Sequence, residues 1–245
     1  MAGSERWAPL FPLGLVLFPR EQLPLHIFEP RYRAMTERCE RESIPFGVVL
    51  ARDAGLAEIG CEAWIEQTLQ RYSDGRRDIM TVGGDRIRVR AVREHADGYL
   101  EGRVELVEDG MGLEGRDETG PNEPFGRDLH AGSPTADQEP GAGEMLLQLY
   151  HECRRLQRTV VRSLGDAPNL SDSEDEIELE AGYTFSLAAR IQMGPGERQG
   201  LLELQSESMR EHFLLSYLAR LRSRLDTQMR NVGYVKRNGK AETRD

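Results

Sequence analysis

The sequence predicts an α+β protein: a β-rich first half carrying one helix, followed by a helical second half. Three observations carry this. Between Leu10 and Met35 short apolar pieces are cut by Pro12, Pro19, Pro24 and Pro30. Two turn signals, Asp74-Gly75 and Asp97-Gly98, stand between runs of strand-forming residues. From Met145 onward, apolar residues recur every three or four positions.

Each proline in LFPLGLVLFPREQLPLHIFEPRYRAM removes a ladder donor and fixes its own φ, which excludes a long helix there. The pieces between the prolines are strand formers. Leu15, Val16, Leu17 and Phe18 predict one short strand, and Leu25, His26, Ile27 and Phe28 a second. Pro30 at a first helical position, with Tyr32, Met35 and Cys39 at helical spacing behind it, predicts a helix from Arg31 to about Glu42. Ile44 and Pro45 return the chain to strand. The continuous run FGVVLA, Phe46 to Ala51, predicts a strand buried on both faces.

The stretches AEIGCEAWIEQTLQRY and RRDIMTVGG flank Ser73-Asp74-Gly75 and predict a hairpin. Beyond it Ile87, Val89 and Ala91 alternate with Arg86, Arg88 and Arg90. After the Asp97-Gly98 turn, Leu100, Val104 and Leu106 alternate with Glu101, Arg103 and Glu105, which predicts a second hairpin with one wet face. Arg86, Arg88, Arg90 and Arg103 then form a stripe with two readings. It is a candidate surface for an acidic partner or RNA, or it pairs across strands with Glu101 and Glu105. No aromatic residue interleaves the arginines to stack bases, which favours the cross-strand pairs.

Residues 109–143 are rich in Gly, Pro, Asp and Glu and offer little apolar surface to offset chain entropy, so a flexible acidic linker or loop is expected. Met145, Leu149, Cys153, Leu156, Val160 and Leu164 then predict a long amphipathic helix stopped at Gly165. The acidic run Asp172 to Glu180 lacks the order of a calcium loop; it is expected to place negative charge at the start of the next helix. Tyr183, Leu187 and Ile191 predict a short helix closed by Gly194-Pro195-Gly196. Ser206 is a natural N-cap for a last helix striped by Met209, Phe213, Tyr217, Leu221 and Leu225. The expected organisation is a β-rich unit over 7–108, the linker over 109–143, a helical bundle over 144–235 and a disordered tail over 236–245.

With 245 residues, 38% hydrophobic and 30% charged, the chain can bury a real core. A formal net charge of -10 opposes general affinity for nucleic acid or anionic membrane. Cys39, Cys61 and Cys153 are odd in number and lack CxxC spacing, which argues against a disulfide framework or a zinc site and fits a reducing cytoplasm. No leader pattern or membrane span is read in the sequence. The stretch GYVKRNGKA, Gly233 to Ala241, misses phosphate-loop spacing and lacks a Ser or Thr after its Lys. His26, His95, His130, His151 and His212 fall on different elements, and no nucleophile or paired-carboxylate pattern stands out. No catalytic, metal-binding or cofactor-binding residue is expected, and no cofactor.

The residues that punctuate the first half also carry a family resemblance. Phe11-Pro12, Phe18-Pro19, Pro24-Leu25, Ile27-Phe28-Glu29 and Arg31-Tyr32 follow in the order found at the start of the Lon protease N-terminal domain, which this stretch closely resembles. The likeness continues through Glu58-Ile59-Gly60, Ile65 and Val82-Gly83-Gly84-Asp85-Arg86, then through Gln199, Leu201-Leu202-Glu203 and Arg210. That domain is the substrate-recognition part of an ATP-dependent protease and also occurs free-standing. The resemblance implies a small, partly closed, PUA-like β-barrel with one helix, then closing helices, with the signature residues building the scaffold. It implies a non-catalytic module for unfolded or apolar polypeptide segments, with a separate ATPase or protease as a further partner. The alternative it leaves open is RNA or small-ligand binding by the barrel. The family joins its halves more tersely, so 109–143 is a departure, and no ATPase or Ser-Lys protease module is read after the last helix.

Overall fold

The computed structural model describes residues 5–110, 141–164, 177 and 179–238. In chain order it contains β1 (Arg6–Leu13), β2 (Gln22–Ile27), α1 (Pro30–Glu42), β3 (Phe46–Arg52), β4 (Gly55–Leu56), β5 (Ile59–Arg71), β6 (Arg77–Glu94) and β7 (Leu100–Leu106). The helices α2 (Ala142–Leu164), α3 (Tyr183–Ala189), α4 (Pro195–Glu203) and α5 (Glu207–Asn238) follow. The fold is α+β, as the sequence predicts. The described residues divide into two compact units, 5–110 with 177 and 179–210, and 141–164 with 211–238. So α3, α4 and the first turn of α5 group with the sheet. The expected linker lies almost wholly outside the described residues, as do the tail from 239 and most of the acidic run from Asp172.

In the first unit, β1 pairs with β7, β7 with β6, β6 with β5 and β5 with β3, all antiparallel, and β3 returns to β1 in parallel. The ring is barrel-like and not a clean barrel. β2 branches off β6, β4 pairs with β3 alone, and register shifts interrupt the β5–β6 ladder.

The first strand lies earlier than predicted. β1 runs over Arg6–Leu13, and Leu15 to Phe18 form no strand. β1 tolerates its prolines because Pro9 pairs only on the β7 side and Pro12 only on the β3 side, leaving one side without a ladder at each. Val16, Leu17 and Phe18 are buried in an extended segment whose polar groups are met elsewhere. Val16 O accepts Arg198 Nη2 at 3.0 Å, and Phe18 N–H donates to Glu21 Oε2 at 2.9 Å. Strand propensity was overridden by burial with side-chain partners.

Helix α1 begins at Pro30 as predicted and ends with Ser43 in the left-handed region, φ 51°. Its buried side, Tyr32, Met35 and Cys39, packs into a core with Phe11, Phe46, Val48, Ile79 and Tyr99. The Phe11 and Tyr32 rings lie 4.2 Å apart. The predicted hairpins form, with Gly75 at φ 86° and Gly98 at φ 80°. The predicted alternation along β6 and β7 fails in part. A bulge at Arg90, where the register shifts between Val89 and Ala91, changes which residues face inward. Beyond it Ala91 pairs with Arg103 and leaves the row of Ile87 and Val89, while on β7 Glu101 is buried against Arg38 and Arg93 and Leu106 is exposed.

Gly194-Pro195 opens α4, with Pro at its first position, and does not close α3, which ends at Ala189. Ser206 caps α5, its Oγ accepting Met209 N–H at 3.3 Å. In the second unit the buried residues of α2 are Leu146, Tyr150, Cys153 and Val160, and those of α5 are Leu214, Tyr217, Leu218 and Leu225. Met145 and Met209, expected on the apolar stripes, are exposed. Both helices carry apolar residues across more than one face, and packing chose the neighbouring row.

Candidate functional site

The β2–β6–β5 part of the sheet has two sides. Ile79 and Thr81 of β6, paired with Leu25 and Leu23 of β2, point inward. Helix α1 covers this side. Buried Arg77 donates to Glu40 Oε2 at 2.7 Å and to Arg33 O at 3.0 Å, while Thr68 Oγ1 donates to Glu40 Oε1 at 2.9 Å.

The other side carries Gln22, Pro24 and His26 of β2, Asp78, Met80 and Val82 of β6, and Trp64, Gln67 and Gln70 of β5. No helix covers it. Trp64 is 43% exposed, against 0% for Ile79 on the inner side. Two bulges in β5 set Glu66 and Leu69 outside the pairing, and Leu69 is 48% exposed. At the far end Phe28, 57% exposed, stacks on His26 with ring centroids 5.9 Å apart, and Tyr72 meets the same imidazole edge-on at 6.0 Å. Asp78 holds this end together, accepting from His26 and from the Tyr72 hydroxyl, the latter at 2.7 Å. The result is an exposed sheet side on which Trp64 and the Phe28, His26 and Tyr72 rings stand among Gln22, Gln67 and Gln70, bounded on the β2 side by a strand whose only partner among the described residues is β6.

A second constellation is buried. Arg86, expected on an exposed stripe, is 3% exposed. It donates to Leu202 O at 2.9 Å and Leu204 O at 2.7 Å, and pairs with Asp109. Arg210, 0% exposed, donates to the same carboxylate, to Thr184 Oγ1 at 3.1 Å and to Glu207. Both guanidinium groups lie over the Phe185 ring, Arg210 at 4.5 Å and Arg86 at 5.8 Å. Burial pushes the Arg86 pKa down, with Asp109 opposing it. Burial also works against Arg210, but Asp109 and Glu207 outweigh it and raise its pKa. A cavity of about 460 Å³ beside this cluster is lined by Pro19, Gly84, Arg86, Leu106, Asp109 and Phe185. Arg86, Arg210, Asp109 and Glu207 are matched to one another, so the cluster ties strands to helices.

The other arginines of the predicted stripe are dispersed. Arg90 pairs with Glu105 at 2.6 Å, Arg88 approaches the same carboxylate at 3.7 Å, and Arg103 meets Glu5 at 3.5 Å. Glu101 binds Arg38 and Arg93. Of the signature residues, Phe11, Phe18, Ile27 and Tyr32 are buried, Pro12, Pro19, Leu25 and Glu29 are half-buried, and Pro24, Phe28 and Arg31 are exposed. Arg31 Nε donates to Glu29 Oε2 at 2.9 Å across the start of α1. Gly83 lets the chain at Phe18 pass close by: a Cβ there would lie 2.0 Å from Phe18 O.

Sequence reasoning missed Trp64, Leu69, Tyr72 and Met80 as one surface. The alternation of Gln22, Pro24 and His26 with Leu23, Leu25 and Ile27 was the available signal, but the β5 bulges hide its continuation. Among the described residues no group of three His, Cys, Asp or Glu side chains is placed to hold a metal ion, and no helix is long and apolar enough to cross a membrane.

A family model for the substrate-binding domain of the ATP-dependent protease La (LON) matches residues 7–220 of this chain. Among solved structures, the chain is similar to a Lon N-terminal domain protein from Xanthomonas campestris, at 25% identity and TM-score 0.56, over 86% of this chain and 98% of that one. It also shares its fold with the N-terminal domain of the Mycobacterium avium complex Lon protease, at 15% identity and TM-score 0.52, over 87% of this chain and 98% of that one.

Proposed function

The chain belongs to the family of the substrate-binding domain of the ATP-dependent protease La (LON), and on that premise we propose that it is a non-catalytic module that holds exposed apolar segments of unfolded polypeptide. The observation that carries this reading is the uncovered outer side of β2–β6–β5. Contiguous exposed apolar surface is costly to keep in water and marks an interaction site. Trp64, Leu69, Tyr72 and Phe28 supply broad contact area with few rotatable bonds, which limits the entropy lost on binding. The open edge of β2 offers backbone groups to an extended chain, while Pro24 limits how far such pairing runs. Contacts of this kind are weak singly, in keeping with a module that captures and releases clients, alone or beside a separate ATPase or protease.

The test uses a fluorescein-labelled apolar peptide and the full chain. Anisotropy is expected to report saturable binding in the micromolar range, weakened about tenfold in a W64S/L69S variant whose melting temperature is unchanged. Absence of binding at high micromolar concentration, or full binding by the double variant, overturns the reading. Casein incubated with the chain and ATP is expected to remain uncleaved.

A further inference from the structure

The rings of the outer sheet side are accompanied by the carboxylates of Glu66 and Asp78. Glu66, set outside the ladder by the β5 bulge between Ile65 and Gln67, is exposed and accepts from the side-chain amide of Gln22 at 3.2 Å. The Trp64 indole lies against β6 at Gly84: a Cβ on Gly84 would stand 2.9 Å from Trp64 Nε1. Asp78 at the far end is shared by His26 and Tyr72.

The nearby cations are directed elsewhere. Arg71 and Arg77 both turn to Glu40 on the inner side, Arg6 is taken by Glu62, and Arg76, lying over the Tyr72 ring, is held by Asp74 at 2.6 Å. The sequence contains only two lysines, Lys236 and Lys240.

An exposed indole on the sheet side that carries the Glu66 carboxylate is a site for a side chain that is apolar along its stem and cationic at its tip. The ring face attracts the cation and the carboxylate pairs with it. The molecule already uses ring–cation contact: Arg93 lies 3.9 Å over Trp7. We propose that this surface selects apolar segments that carry Lys or Arg beside the apolar core, and disfavours segments with acidic flanks. The inference rests on the polypeptide-binding reading above and adds the class of segment.

The experiment compares three fluorescein-labelled peptides with one apolar core and flanks of Lys, Gln or Glu, titrated by anisotropy against the full chain. The Lys-flanked peptide is expected to bind about fivefold tighter than the Gln-flanked one, and the Glu-flanked peptide weakest. The spread should narrow in 0.5 M salt. In an E66Q variant the Lys-flanked peptide should fall to the level of the Gln-flanked one. Equal binding of the Lys and Gln peptides overturns the charge preference and leaves the polypeptide reading standing, whereas no binding by any of the three overturns both. A preference that survives E66Q removes it from this surface. Sedimentation of the chain alone supplies the last arm, since a dimer dissolved by W64S would assign the surface to a second copy and overturn the proposal.

Discussion

Arg210 and Asp109 lie 101 residues apart in sequence and 2.9 Å apart in space, Nη1 to Oδ1. Arg86 reaches the same carboxylate from β6, so one half-exposed aspartate at the end of the described sheet segment balances two buried cations. Glu207 adds a second negative charge on Arg210. A charge buried without its partner costs far more than the pair contributes, because the desolvation penalty remains when the attraction is gone.

Replacing Asp109 should therefore be costly although its own side chain is partly in water. D109N and D109A are both expected to destabilise the protein by about 2–4 kcal/mol, read as a lower urea midpoint. D109E should recover part of the loss. Equal midpoints for wild type and D109A would show that the two guanidinium groups find other partners.

Gly83 stands where β6 passes beneath the turn after Phe18. Its N–H donates to Glu21 O at 2.9 Å, and its carbonyl accepts Arg20 N–H at 2.8 Å. A methyl group there would press on the Phe18 carbonyl, a backbone atom unable to rotate away. G83A is expected to cost about 1–3 kcal/mol. By contrast G14A, with open space around its Cβ, should leave the melting temperature within about 1–2 °C of wild type.

Acid should weaken the fold through Glu101 and Glu40. Burial works against the Glu101 charge, but hydrogen bonds from Arg38 and Arg93 outweigh it and lower its pKa. For Glu40, burial is outweighed by the Thr68 hydrogen bond and by Arg77 and Arg71. A carboxyl whose folded pKa lies below its unfolded value, about 4.3 for Glu, contributes stability that is full above that value. The contribution is lost as the pH falls through the folded pKa. Glu62 has the opposite sign: burial raises its pKa more than Arg6 lowers it, so acidification through its folded pKa relieves a small penalty. Urea midpoints for the wild type should hold from pH 7 to about pH 5 and fall steeply below pH 4. E101Q should show a shallower acid limb, and an identical limb would remove Glu101 from the account.

The features legible in the chain were those set by local geometry. Pro30 starting α1, Gly75 and Gly98 turning hairpins, and Ser206 capping α5 each follow from which φ and ψ a residue tolerates or which donor its oxygen can meet. Where the reading missed, a non-local event had changed the local sense. A bulge at Arg90 turned Ala91 of β6 to the side of Arg103, and bulges at Glu66 and Leu69 broke the alternation that would have marked the outer surface. Asp109, read as part of a linker, became the counter-ion of two arginines from distant segments.

By itself the amino-acid order determined the α+β class, the starts of α1 and α5 and the hairpins, because steric limits on the backbone and the periods of two and 3.6 residues act over a few neighbours. Only the tertiary structure decided that α1 covers one side of β2–β6–β5 and leaves Trp64 in water, and that Arg86 turns inward to Asp109. Burial is a collective property, settled by which surfaces meet after segments far apart in the chain have come together.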